Sequence, residues 1–139
     1  MPPRRLPSDD PREWLNRARS DLTMAKTQGF EIYYEDLCFH AQQAAEKAIK
    51  AVLLRHGIRF PYVHDIRELI GLLKRKAVRV PARVAKACEL TNYAVETRYP
   101  GLSEPVSEKE YRAAVSIAES VVRWAEKQIT LPTKRQRKS

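Results

Sequence analysis

Apolar residues along this chain recur at intervals of three and four, the spacing of an amphipathic helix. No stretch alternates convincingly as a strand would. The longest run is Leu37, Ala41, Ala44, Ala45, Ala48, Ile49, Val52 and Leu53. It predicts a helix from roughly Tyr33 to His56 whose alanine seam lets a neighbouring helix approach closely, with Gly57 placed as the residue after the cap. Before it, Asp10 and Pro11 read as an N-cap and a first-turn proline. Trp14, Leu15, Ala18, Leu22 and Ala25 then share one face, and Gly29 ends that run. After it, Asp65 with Glu68 resembles a capping box ahead of Ile66, Leu69, Ile70 and Leu73, a short helix. Pro81 opens a fourth helix carrying Val84, Ala87, Cys88, Thr91, Ala94 and Val95, broken at Pro100 and Gly101. Ser107 with Glu110 starts a fifth, with Tyr111, Ala114, Val115, Ala118, Val122, Ala125 and Ile129 on its face.

These elements predict an all-α fold: an antiparallel up-and-down bundle of four long helices plus one short one. The bundle is expected over residues 11–130. Residues 1–10 are expected as a flexible N-terminus and 131–139 as a basic disordered tail. A length of 139 residues suits one domain. Four glycines are too few for a glycine-rich phosphate loop. No apolar run reaches the roughly 20 residues of a membrane span, and the first residues lack the apolar core of a signal peptide. A cytoplasmic, non-membrane protein is expected. Cys38 and Cys88 fall on apolar faces and read as reduced core residues. No metal-ligand spacing is found, so neither a metal nor a cofactor is expected.

Charge changes the picture more than composition does. The net charge is +9. Lys74, Arg75, Lys76, Arg79, Arg83 and Lys86 follow one another without an acid, and the last residues add further cations. Such a face attracts phosphates, RNA or an acidic protein. It reads equally as a solvated surface. On the second helix, His40, Gln43 and Glu46 stand three apart and are expected as a dimer or ligand face. Glu46 and Lys50 make a common i, i+4 pair. Arg98 and Tyr99 sit before the Pro-Gly break, where a guanidinium can hold a phosphate and a ring can stack on a base. A packing corner is the other reading.

The order "WLNRARSDLTMAK", "EDLCFHAQQAAEKAIKAVLLRHGI", "HDIRELIGLL" and "TNYAVETRYPG", followed by a long final helix, resembles the HEPN family (higher eukaryotes and prokaryotes nucleotide-binding domain), in its small stand-alone prokaryotic form. The resemblance covers roughly Glu13 to Gln128. It implies a bundle of four or five helices, commonly a homodimer, associated with nucleotides or RNA. It also implies a minimal nucleotidyltransferase as partner, in some cases as a toxin and antitoxin. The ribonuclease branch of the family carries an Arg, four to six residues and a His. Arg59 and His64 match that spacing in "RFPYVH" and become the catalytic candidates: His moves protons and Arg holds the scissile phosphate. The match lies between the second and third helices, with Phe60 after the Arg and Ile66 two residues beyond the His. In the nuclease branch the motif comes late, a polar residue often follows the Arg, and some toxins have a tyrosine where Ile66 stands. Three readings stay open: a nucleotide- or RNA-associated domain working with a nucleotidyltransferase, a metal-independent ribonuclease toxin, and a non-catalytic interaction module. In the bland reading, His64 and Asp65 only start the third helix.

Overall fold

Helix α2, Tyr34–Arg55, is the axis on which the other elements pack. All eight residues of its predicted stripe are buried, and Ala51 is buried too. Apolar surface on so many sides requires neighbours on so many sides. In the computed structural model, which describes residues 1–94 and 105–131, those neighbours are α1 (Pro11–Ala25), α3 (Ile66–Arg75) and α5 (Glu108–Thr130), with α4 (Ala82–Ala85) running on into a 3₁₀ helix, Lys86–Ala94. The described residues are all helix and loop. No helix among them is long and apolar enough to cross a membrane. Arg98, Tyr99, the Pro100–Gly101 break and the basic tail from residue 132 lie outside the described residues.

Residue pairs give the helix directions. Arg19 pairs with Glu126 and Lys26 with Glu119, so α1 and α5 run antiparallel. Trp14 lies against Lys50 and Asp21 against Lys47 and His40, so α1 and α2 are antiparallel as well. Tyr34 stacks on Tyr111 and Arg55 reaches the Leu131 carbonyl, so α2 and α5 run parallel.

The start signals act at the expected residues, although Asp65 caps α3 without the return bond from Glu68 that a capping box needs. Asp10 accepts from the Arg12 amide with Pro11 at the first helical position, and Ser107 and Glu110 complete a capping box. Asp65 caps α3 by accepting from the Arg67 amide. The N-terminal segment does not simply trail away from α1. The Leu6 amide donates to Glu13 and the Trp14 indole donates to the Ser8 carbonyl. That amide and the Arg17 side chain hold the Glu13 carboxyl below the ordinary carboxylate range.

The fourth element departs from the expected long α-helix. Only Ala82–Ala85 is α-helical; the next nine residues are 3₁₀. Val84, Ala87 and Leu90 are buried and Tyr93 is partly buried, a repeat of three. At three residues per turn these side chains line up on one side, which an α-helix would not achieve. Thr91, Asn92 and Tyr93 are also poor α-formers.

Both α2 and α3 end in a Schellman motif. After α2, the Ile58 amide bonds the Leu53 carbonyl and Gly57 bonds Leu54, with Gly57 at φ 68. After α3, Val78 bonds Leu73 and Ala77 bonds Lys74, but here an alanine holds φ 58. A Cβ on Gly57 would meet nothing within 4 Å, so only backbone strain opposes it. Gly57→Ala is therefore expected to cost about 1 kcal/mol. Ala77→Gly relieves the same strain but adds freedom to the unfolded chain, for a net gain of about 0.5 kcal/mol. Urea unfolding of both variants checks the pair, and a loss of stability in Ala77→Gly would refute the strain assignment.

Candidate functional site

A carboxylate in the middle of α2 organises the site. Glu46 is 2% exposed, yet three side chains converge on it. Gln42 Nε2 donates to its Oε1 at 3.0 Å. Lys50 Nζ donates to Oε2 at 2.9 Å. His64 Nδ1 lies 3.1 Å from both oxygens. Gln42 in turn accepts from Gln43 at 2.7 Å. Lys50 is buried with its ammonium 5.5 Å from the Trp14 ring and 5.4 Å from Phe60, and those two rings meet edge to face. The aromatic faces and the carboxylate together compensate a cation that water cannot reach.

His64 arrives from the connection between α2 and α3. The Schellman turn at Gly57 sends the chain back along α2, so Phe60 meets Lys50 and His64 meets Glu46 one turn earlier. Asp65 then caps α3, and Ile66, fully buried, fixes where α3 begins. A carboxylate can only accept, so Nδ1 carries the hydrogen, and in the neutral ring the lone pair is then on Nε2. The His64 side chain is 59% exposed, so the ring is anchored inside and presented outside. Tyr62, 98% exposed, lies beside it with ring centroids 6.4 Å apart.

Of the catalytic candidates, the fold engages His64 but does not join it to Arg59. Arg59 is exposed and has neither hydrogen bond nor ion pair among the described residues. The expected face of His40, Gln43 and Glu46 is divided. His40 Nδ1 is 3.0 Å from Asp21, a buried acid on α1 that also holds Lys47 at 2.6 Å. Gln43 is half-buried, and Glu46 faces the interior. Each step of three residues drifts roughly 60° around a helix, so His40 and Glu46 stand roughly 120° apart. Glu46 and Lys50, expected as an ordinary helix pair, form a buried one. Lys74, Arg75, Lys76, Arg79 and Arg83 are all exposed, with no side-chain partner among the described residues. Sequence reasoning misses Tyr62, Gln42 and the clamp of Trp14 and Phe60. Tyr62 stands inside the Arg59–His64 stretch; for Gln42, its four-residue spacing from Glu46 is the available signal.

Cys38 is buried and free, and Cys88 is free and half-buried. Burial, with the nearby Glu110 and Glu35 charges, pushes the Cys38 thiol up to about 12. Burial raises Cys88 as well. Since thiolate is the reactive form, Cys38 is expected to resist a maleimide in the folded protein at pH 8 and to react only after unfolding. Labelling of Cys38 as fast as Cys88 would contradict this.

Comparisons with known proteins place this architecture. Two solved structures share the fold. One is TT1696 from Thermus thermophilus, with a TM-score of 0.74 and 32% identity over 85% of this chain and 97% of that one. The other is ST0689, described as an archaeal HEPN homologue, with a TM-score of 0.70 and 28% identity over 87% and 98%. A Methanocaldococcus jannaschii protein named "Putative toxin MJ1304" is 45% identical over 47 residues, which is 34% of this chain and 31% of that protein's length. The chain thus matches less than a third of that relative. The family model for the HEPN domain matches residues 11–128. With nearly the whole helical body matched, the chain belongs to the HEPN domain family.

Proposed function

We propose that this protein is a toxin-like HEPN protein that cleaves RNA, with His64 as the proton-moving group. The observation that carries this reading is the seating of His64: an exposed ring tied at Nδ1 to a buried carboxylate, with Nε2 left as a base. Nε2 is suited to take the proton of a ribose 2′-hydroxyl, whose oxygen then attacks the adjacent phosphorus while the 5′-oxygen leaves. Two further features support RNA as the substrate. Tyr62 offers a base an exposed ring beside His64. The five exposed cations from Lys74 to Arg83 begin at the far end of α3, about 15 Å along a ten-residue helix from His64, within reach of a bound strand. Arg59 is free to meet a phosphate near the base. Arg98 and Tyr99 enter as phosphate and base contacts on the sequence reading alone.

The similarity to a protein named as a toxin supports a partner that restrains the activity. The family resemblance supports a minimal nucleotidyltransferase as that partner and a homodimer as the working form. An RNA-degradation assay on purified protein, wild type against His64→Ala and Arg59→Ala without added metal, tests the central claim. Cleavage by wild type and not by His64→Ala is the expected result. A wild type that cuts nothing removes the nuclease reading and leaves binding with a nucleotidyltransferase as the function to measure.

A further inference from the structure

A second polar site lies between the N-terminal segment, α1 and α2. The N-terminal segment and helices α1 and α2 enclose a cavity of about 260 Å³ lined by Arg4, Arg5, Arg17 and Lys47 and by Glu13 and Asp21. Its lining includes neither His64 nor Glu46. The two acids are nearly buried and already matched: Arg17 meets Glu13 at 2.7 Å and Lys47 meets Asp21 at 2.6 Å. Each acid therefore holds a cation in place at the cavity wall. Arg4 and Arg5 have no hydrogen bond or ion pair among the described residues, although the Arg5 charge acts on Glu13 at longer range. They are not loosely hung. Pro2 and Pro3 stiffen the chain before them, and the Leu6 amide and Ser8 carbonyl tie the chain after them to α1. The lining thus carries two positive charges beyond its acids, on two forked side chains. Asn16 and Ser20 add neutral donors on the α1 wall.

We propose that this groove binds a phosphomonoester, with Arg4 and Arg5 as the groups that grip it. A phosphomonoester dianion matches the surplus charge, and its oxygens suit paired guanidinium forks. A cavity this small takes the phosphate and a short organic remainder. The phosphate can belong to a free nucleotide or to the 5′ end of an RNA strand, and the two sources are separable by experiment. The site stands apart from the proposed cleavage chemistry and does not depend on it.

Calorimetric titration of the full chain with 5′-AMP against adenosine tests the free source. The same titration with a 5′-phosphorylated 2′-O-methyl oligonucleotide against its 5′-hydroxyl form tests the strand end, and these probes cannot be cut through a 2′-hydroxyl. In at least one pair the phosphorylated probe is expected to bind at least about tenfold tighter, as charge-assisted bonds to two arginines require. Arg4→Ala/Arg5→Ala is expected to erase that preference. Both side chains are exposed and unpaired, so their removal leaves the fold intact. A preference in the first pair identifies a small-molecule site, and one in the second alone identifies a strand-end site. Equal binding within both pairs, or a preference that survives in the double variant, overturns the proposal. Loss of RNA cleavage in His64→Ala has no bearing on either result.

Discussion

Glu46→Gln is expected to lower RNA cleavage by about 10²-fold or more, close to the loss in His64→Ala, because of how many donors meet at one carboxylate. Gln42, Lys50 and His64 all donate to Glu46. A glutamine offers one acceptor oxygen and one donor NH₂ in the same space. Whichever way it turns, one of the three donors faces an NH₂. Lys50 cannot accept a hydrogen bond, so it claims the oxygen. The NH₂ then stands where Oε1 stood, against Gln42 and 3.1 Å from His64 Nδ1. His64 is no longer held to one tautomer: the form that accepts at Nδ1 and carries its hydrogen on Nε2, the wrong form for taking a proton, now competes with donation to the oxygen beside Lys50. Glu46 is in this sense a positioning residue: in the proposed cleavage it acts only through His64. The nitrogen NMR signals of the His64 ring distinguish this from a merely structural effect. Wild type should show hydrogen on Nδ1 and the variant a shift of hydrogen towards Nε2. A variant that keeps both the wild-type tautomer and its cleavage rate would refute the role of Glu46.

The parts of this arrangement that are legible in sequence are those internal to one helix. The stripe from Leu37 to Leu53 is buried as its spacing demands, and Asp10, Ser107 and Gly57 mark helix ends by chemistry local to a few residues. The long fourth helix fails because a repeat of three and a repeat of 3.6 coincide at their first positions, Val84 and Ala87, and part only afterwards. Leu90 separates the two, and the expected α-helical face carries Thr91 in its place. The site is half legible for a related reason. Spacing nominates His64 through Arg59, but its partner Glu46 is 18 residues earlier and falls, by spacing, in a different group. Periodicity describes the faces of a helix, not which loop folds back on them. That fold-back depends on the turn at Gly57 and on Phe60 finding Trp14, a contact between separate elements.

Lys50→Ala is expected to cost about 3 kcal/mol of stability. Deleting it leaves Glu46 buried without its cation and removes the ammonium's contacts with the Trp14 and Phe60 rings. Breaking a buried pair on one side costs roughly 3–5 kcal/mol. The lower figure applies because Gln42 and His64 still donate to the carboxylate. Urea unfolding at neutral pH measures it. The paired experiment isolates the cause. In Glu46→Leu/Lys50→Met no charge is stranded, so the double change should cost far less than the two single changes together, a coupling of at least about 1 kcal/mol. A cost below about 1 kcal/mol for Lys50→Ala would mean that water reaches Glu46, since exposed pairs contribute that little. Water at Glu46 would also loosen its hold on His64. Stability of Lys50→Ala and cleavage by Glu46→Gln therefore test one carboxylate from opposite sides, through the cation that lets it stay charged indoors and the imidazole that it anchors at the surface.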